Sequence, residues 1–501
     1  MSRVKLRLSG GLAFAANIVG YVTGFIFTVL ITRRLSEEEF GVWALISSLI
    51  VYSLIPYNLV SSWITRDAAR GKKVLDTALV LCLLLSPISI LIYFLSGVGS
   101  ALAINYDAAT ILLGLIVLTP YLFLSIANAI QSGYMPQTIG ISRIFFEMSK
   151  VVLAVIFLIL LRLRLVGALL SLSLAYTIQA GFLLYNSKNL RQRINTSWIV
   201  KWVKGAPINV INVLNNAFSA TNIVLMSIIL GSATVAGYWQ AAISASALVT
   251  SSKLLATGLR ARLLSGGTQK DIDKSFSFSM MLAIPLLLGF FVLSKDLLWI
   301  LKPTYSSAWI AACILAIAGV IRFIGSVGAT ILTSTDEFDK GDVIALKDYL
   351  RSRVFLVNGL RTTLTGLNVV TVAAYLVSIG RAASIIEVIT SVAVINLAWA
   401  IIGAIINLKL MKKITSFRLN FSSLKGYLIS SVIMALAVYA IKEALGFRPA
   451  RALEAASIIL LLVAIGGTIY GGILYLINRE FRSFLKEVRS FINNYKLTDI
   501  L

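Results

Sequence analysis

Phe40-Gly41-Val42-Trp43-Ala44 and Ala236-Gly237-Tyr238-Trp239-Gln240 are two versions of one motif, 196 residues apart, each standing just before a long apolar run. The likeness continues along the chain. Arg66 has its counterpart in Arg262, and Pro87 in Pro285. Phe94-Leu95-Ser96 answers Val292-Leu293-Ser294, and Asn105-Tyr106-Asp107-Ala108-Ala109 answers Thr304-Tyr305-Ser306-Ser307-Ala308. The offset drifts only from 196 to 199. Internal symmetry of this kind in a membrane protein marks two homologous bundles that rock against each other around a central site.

The composition supports a membrane setting. The chain is 58% hydrophobic and 13% charged, with a mean hydropathy of +0.90; soluble domains average about 25% charged. Apolar runs of about 20 residues recur, the length a helix needs to cross about 30 Å of hydrocarbon. The expected fold class is an all-α polytopic membrane protein of about fourteen transmembrane helices. The spans fall near 10–31, 42–63, 75–96, 109–131, 141–161, 165–186, 207–230, 233–256, 275–298, 308–332, 353–378, 383–408, 424–444 and 453–477. Residues 1–187 then form an N-terminal six-helix lobe and 207–410 a second one. An amphipathic interfacial linker covers 188–206, with Trp198 and Trp202 among Lys201 and Lys204. Residues 411–501 hold two further helices, which the repeat lacks, and a tail. The most polar connection, Thr333–Arg353, carries Asp336, Glu337, Asp339 and Asp342 and breaks the repeat register.

Charge sets the orientation. Of the 45 Lys and Arg residues, 33 fall at one side of these spans, from Arg3, Lys5 and Arg7 through Lys340 to Arg479, Arg482, Lys486, Arg489 and Lys496. Ten, including Arg33, Arg34, Lys302 and Arg448, fall at the other. The positive-inside rule makes both termini cytoplasmic in a multi-pass protein of the cell membrane. The net charge of +24 is thereby topogenic and faces anionic lipid, which argues against nucleic acid as a partner. The chain has no histidine, so the commonest metal ligand and proton shuttle is missing. Cys82 and Cys313 sit inside apolar runs and form no disulfide framework. No metal and no cofactor is expected, and the first helix is expected to remain as an anchor, because no cleavage site follows the basic start.

Several stretches resemble the polysaccharide-biosynthesis (Wzx-type) flippases, exporters of lipid-linked oligosaccharide in the multidrug/oligosaccharidyl-lipid/polysaccharide (MOP) superfamily. Leu30-Ile31-Thr32-Arg33-Arg34-Leu35-Ser36-Glu37-Glu38-Glu39-Phe40-Gly41-Val42-Trp43-Ala44 is similar to that family's junction between its first two helices, with Leu35-Ser36 in place of Gly-Pro. The Arg66 region resembles its basic loop after the second helix. Asn222 to Ala242, with Gly231, Gly237, Tyr238 and Ala241, resembles its junction between helices seven and eight, although many members carry an acid where this chain has Asn222. Thr304-Tyr305-Ser306-Ser307-Ala308 resembles its loop before helix ten. The likeness is clear over residues 10–330 and weak beyond. It implies two six-helix lobes arranged as a V, a central cavity and alternating access.

Ionisable groups inside spans are costly and face cavities or partners. Arg143, Glu147 and Lys150 share one helix face and form either a local ion-pair cluster or a cytoplasmic gate and phosphate-recognition face, with Arg66 and Arg262 as further gate candidates. Arg322 lies mid-span with no neighbouring acid, where the first half has Phe123. A guanidinium there suits bidentate phosphate contact, or pairs with Glu387 or Glu147. Arg361 is placed to contribute to a site or to snorkel to the inner surface, and Lys253 to snorkel. Amides concentrate in the seventh span, at Asn209, Asn212, Asn215, Asn216 and Asn222, of which Asn212, Asn215, Asn216 and Asn222 recur at helical spacing on one side, with Asn17 in the first span and Asn128 and Gln131 in the fourth. They read either as helix-to-helix hydrogen bonding or as a cavity wall for sugar hydroxyls. Pro56, Pro87, Pro120 and Pro285 are expected to kink helices, and Pro207 to start one.

These features point to a transporter. A multidrug-cation antiporter needs a buried carboxylate, and the first, second, seventh and eighth spans contain no Asp or Glu. A lipid II-type flippase stays open, although arginines are lacking in the first span. Short outer loops and the absence of P-loop or G-x-S-x-G motifs argue against an enzyme. The expected substrate is a lipid-(pyro)phosphate-linked oligosaccharide carried to the outer leaflet. Membrane lipids, and glycosyltransferases or other glycan-assembly proteins, are the expected partners.

Overall fold

The computed structural model describes residues 6–256, 259–264, 266–334, 336, 346–419, 421, 424–447, 451–478 and 481–482. Arg3, Lys5, Lys340, Arg448, Arg479, Lys486, Arg489 and Lys496, with Glu337, Asp339 and Asp342, lie outside the described residues, as does the side chain of Arg7. Regular structure among the described residues is helical throughout. The first half holds α1 (Leu6–Arg34), α2 (Glu37–Ser53), α3 (Ile55–Ala69), α4 (Leu75–Ile104), the short α5 (Ala108–Leu112), α6 (Leu115–Tyr134), α7 (Pro136–Ala154) and α8 (Arg164–Asn186). Then follow α9 (Thr196–Gly205), α10 (Val210–Leu230), α11 (Ala233–Thr250), the short α12 (Leu259–Leu264), α13 (Gln269–Leu301) and α14 (Trp309–Ser334). The chain closes with α15 (Leu346–Arg351), α16 (Arg353–Ile379), α17 (Ile385–Ile414), α18 (Leu424–Ala444) and α19 (Ala452–Ile477).

Every predicted span falls on helix. Among the described residues, ten helical segments are long and apolar enough to cross a membrane, and eleven with the bent pair α2–α3 counted as one. The first, fifth and eighth predicted spans, on α1, α7 and α11, are not among them. In α7 the three charges at 143, 147 and 150 lower the hydropathy, and in α11 Gln240 and several hydroxyls do. The second predicted span is broken, with α2 and α3 meeting at 54° around Leu54. Pro56, in the first turn of α3, has no N–H to continue the ladder of α2. Pro87, Pro120 and Pro285 lie inside α4, α6 and α13. The expected linker helix is α9, and it runs through a tight turn at Ala206–Asn209 into α10.

Packing follows the repeat. α1 lies on α7 and α6 on α8, while α10 lies on α16 and α14 on α17. Gly325 lets α14 approach α17 closely: a Cβ there would stand 2.9 Å from Ala404 Cα. The C-terminal helices α18 and α19 pack on α13. Lys442 pairs with Asp296 at 2.5 Å, Ser277 bonds Tyr427 at 2.6 Å, and the Tyr470 hydroxyl donates to the Met281 carbonyl at 2.7 Å. The junction motif begins with a capping box. The Ser36 hydroxyl accepts from the Glu39 N–H, and the Glu39 carboxylate accepts from the Ser36 N–H, satisfying donors that open the helix.

Candidate functional site

The two copies of the opening motif meet face to face. α2 and α11 cross at Gly41 and Gly237. A Cβ on Gly41 would lie 1.8 Å from the Ala233 carbonyl oxygen, and one on Gly237 would lie 2.7 Å from that of Glu37. No side chain fits, so glycine here is a requirement of close backbone approach. Aromatic rings flank the crossing: Phe40 stacks on Trp43, and Tyr305 lies edge-on to Tyr238 at 4.9 Å.

Beside the crossing, α1 and α13 exchange C-terminal caps. Arg33 donates to the carbonyls of Trp299 (2.7 Å) and Ile300 (2.8 Å), and Thr32 to that of Leu301 (2.8 Å). Lys302 answers by donating to the Leu35 carbonyl at 3.2 Å. The last carbonyls of a helix have no intrahelical donor and carry its negative dipole end, so cations suit both places. The Tyr238 hydroxyl donates to Glu37 at 3.2 Å. Together these contacts seal the two halves at one end.

Glu147 and Lys150 of the first-half charge cluster are buried between α1 and α7. Lys150 pairs with Glu147 at 2.5 Å, and both are less than 10% exposed. Thr23 of α1 donates to the same carboxylate at 2.8 Å. Gly20 leaves room for it, since a Cβ there would be 3.1 Å from Glu147 Oε1. The Lys150 ammonium lies over the rings of Phe27 and Phe146. One turn away Arg143 donates to Asn17 Oδ1 at 2.7 Å and stays exposed. The structure therefore brings Asn17, Arg143, Glu147 and Lys150 together, and it joins Glu147 to Lys150 and not to Arg322.

The asparagine-rich helix divides its amides between two faces. Asn209 donates to the Leu59 carbonyl and Ser62, each at 2.7 Å, tying the start of α10 to α3. Asn215 accepts from Thr365 at 3.0 Å, and Asn222 donates to Asn368 at 3.3 Å, both across to α16. Asn212, Asn216 and Ser219 form the exposed face. Asn212, Asn215, Asn216 and Asn222 thus lie on one broad side of α10 that divides into two neighbouring stripes, because positions three apart on a helix differ by about 60°. The Oδ1 atoms of Asn222 and Asn128 are buried with no hydrogen-bond partner. Gln131 is fully used within its own half, by Leu183, Ser187 and Thr138.

Arg322 projects from the middle of α14 and donates to Asn396 of α17 at 3.4 Å. It is exposed at mid-helix. Among the described residues it forms no ion pair, with Glu387 or any other acid. One turn on, Ser326 is exposed on the same face, and Thr330 follows. Arg361 is exposed on α16. Arg66 lies over the Trp63 ring, and Arg262 pairs with Asp271 at 2.9 Å.

Two features escaped the sequence reading. Asp67, fully buried, accepts from Lys72 (2.8 Å), Lys201 (2.9 Å) and the Trp202 indole N–H (2.9 Å), and so fastens α9 to α3. Its signal was a lone acid among basic residues at a helix end. Asn396, the partner of Arg322, carried no signal, since nothing local pairs positions 322 and 396.

No family model matches the chain, and no curated protein matches it in sequence. Solved structures do share its fold. The lipid II flippase MurJ in an inward closed conformation superimposes with a TM-score of 0.58 at 14% identity, over 93% of this chain and 99% of its own. An inward-facing multidrug resistance MATE family transporter of the MOP superfamily gives 0.54 at 12% identity, over 81% and 100%. MATE in complex with MaL6 gives 0.51 at 12%, over 81% and 96%. The chain has the helical fold of MOP-superfamily transporters. These neighbours are a flippase and transporters, and the resemblance reaches the fold alone.

Proposed function

We propose that the chain is a membrane transporter that moves a lipid-(pyro)phosphate-linked oligosaccharide from the cytoplasmic to the outer leaflet by alternating access, for polysaccharide or glycan assembly. The observation that carries this reading is Arg322, an exposed mid-helix guanidinium whose partner is a neutral amide. Its charge is left for an anionic ligand, and its planar donor set fits phosphate. The units that rock are residues 1–187 and 207–410. The sealed end at Gly41 and Gly237 is the outer gate, on the side the charge asymmetry assigns to the exterior. Exposed Asn216 meets sugar hydroxyls, and the lipid tail stays in the bilayer. Membrane lipids surround the cell-membrane protein, and glycan-assembly enzymes deliver its substrate.

A lipid II-type flippase is the second reading, because the MurJ structure matches 93% of this chain and the MATE structures 81%. The difference, about 60 residues of 501, is comparable to the α18–α19 pair. A cation antiporter is less well supported. The buried acids Glu147 and Asp296 are already held by Lys150 and Lys442. The test is transport by purified protein in liposomes. Wild type is expected to move a fluorescent lipid-diphosphate oligosaccharide, and Arg322→Ala to slow it by about 10-fold or more, the scale of one lost charge-assisted contact. An unchanged rate rejects the role of Arg322. Transport of cationic dyes against a proton or sodium gradient, without lipid flipping, rejects the class.

A further inference from the structure

The repeat also sets a register between the α1–α7 pair and the α10–α16 pair. Gly231, with φ 67° at the end of α10, has no counterpart between Leu35 and Ser36. The offset is therefore 195 in the helices before it and 196 after it, so Thr32 matches Ser227 and Leu35 matches Leu230. Two contacts then fix the partner helices. Glu147 lies against Gly20 in the first half; 218 and 195 residues on, Thr365 bonds Asn215. Lys150 lies over Phe27; the same two offsets give Asn368 and Asn222, which bond each other. Exposure repeats as well. Arg143, Phe145 and Val152 are exposed, as are Arg361, Thr363 and Val370, whereas Lys150 and Ala154 are buried, as are Asn368 and Val372.

These offsets carry Asn17 onto Asn212 and Arg143 onto Arg361. Each arginine stands about 11–12 Å along its helix from the first residue, at 1.5 Å per residue. The surroundings changed between the copies, but the net charge did not. Arg143, Glu147 and Lys150 sum to one positive charge, and so do Arg361, Thr365 and Asn368. In the first half the exposed guanidinium bonds the carboxamide, and in the second the Thr362 hydroxyl, next to Arg361, donates to the carbonyl of Ile211, next to Asn212, so the equivalent exposed pair lies on adjoining turns of α16 and α10. In the first half Asn17 Oδ1 is consumed by Arg143. The remaining guanidinium N–H groups and the amide NH2 suit an oxyanion, and the acid next to them at Gly20, Glu147, is already neutralised by Lys150.

We propose that Asn17–Arg143 and Asn212–Arg361 are twin oxyanion sites, one in each half, that take the phosphate groups of the transported lipid. The proposal rests on the flippase reading and adds two residue pairs to it. The test uses the full chain in nanodiscs of zwitterionic lipid, titrated with a short polyprenyl diphosphate and with the matching polyprenyl alcohol. Wild type is expected to prefer the diphosphate. Arg143→Gln and Arg361→Gln should each weaken diphosphate binding by about 10-fold, to a similar extent, and the double variant by about 100-fold. Alcohol binding should stay unchanged, and Arg→Lys should restore part of the loss. Several outcomes overturn the twin sites: wild-type affinity in either glutamine variant, equal losses for alcohol and diphosphate, or a lowered unfolding temperature with unchanged binding. A wild-type protein that does not distinguish diphosphate from alcohol overturns the flippase reading along with them.

Discussion

The α1–α7 interface and the α10–α16 interface occupy equivalent places in the two halves and are built from different chemistry. The first is clasped by a buried ion pair, Glu147–Lys150, with a hydroxyl from Thr23. The second is clasped by neutral groups, Thr365 to Asn215 and Asn222 to Asn368, plus Thr362 to the Ile211 carbonyl at 2.9 Å. Buried charges are all-or-nothing partners, because removing one leaves the other desolvated and unpaired. Amide and hydroxyl bonds between membrane helices are individually weak, about 0.6 kcal/mol on average. The first half is thus held by one strong, brittle contact and the second by several soft ones. If the halves rock, α10 is the helix whose neighbours yield more easily.

The largest expected effect comes from breaking the brittle side. Glu147→Gln or Lys150→Met alone should destabilise the protein by about 3–5 kcal/mol. The double variant Glu147→Thr/Lys150→Asn copies the second half's residues onto the first and should recover most of that loss, since a buried pair replaced as a unit is often neutral. Unfolding temperature in detergent reads both. If the single variants are as stable as wild type, the first interface is not held by its ion pair and the contrast collapses.

A smaller effect is expected where the halves touch. Gly41→Ala puts a methyl 1.8 Å from a backbone oxygen, whereas Gly237→Ala puts one at 2.7 Å. Overpacking of this kind costs about 1–3 kcal/mol, and Gly41→Ala should be the worse of the two. Because relief requires α2 and α11 to separate, Gly41→Ala should also raise the labelling rate of a cysteine placed at Ser232. Equal stability of the two variants would mean the crossing relaxes symmetrically.

Much of the fold was legible because spanning runs and the repeat are local or periodic signals. Every predicted span fell on helix, and the sharp bend at Leu54 lies where Pro56 predicted a kink. The motif Phe40-Gly41 and Ala236-Gly237 was legible as a repeat but not as a contact. That the two glycines face each other depends on how α2 packs on α11. The candidate site was legible by residue type and not by partner. Arg143, Glu147 and Lys150 were placed on one face from spacing alone, while Thr23, Gly20 and Asn17, more than 120 residues earlier, were joined to them only by packing. The asparagines were placed on one side because their spacing is helical, and their division into buried and exposed stripes follows from the position of α16. Asp67 was overlooked because its donors Lys201 and Trp202 come from a different helix.

The smallest expected effect sharpens the soft side. Asn222 bonds Asn368 at 3.3 Å and leaves its own Oδ1 buried without a partner. That orphan offsets part of what the bond contributes. Asn222→Leu should therefore change stability by less than about 1 kcal/mol, and the pair Asn222→Leu/Asn368→Leu should be neutral or stabilising, because both partners leave together. Stability alone does not say why such a pair is present, and transport does. A helix-clasping role predicts that the double leucine variant flips lipid at the wild-type rate. If transport falls by about 10-fold or more while the unfolding temperature holds, the unpartnered Asn222 oxygen is kept for a ligand, and the soft interface forms part of the substrate path.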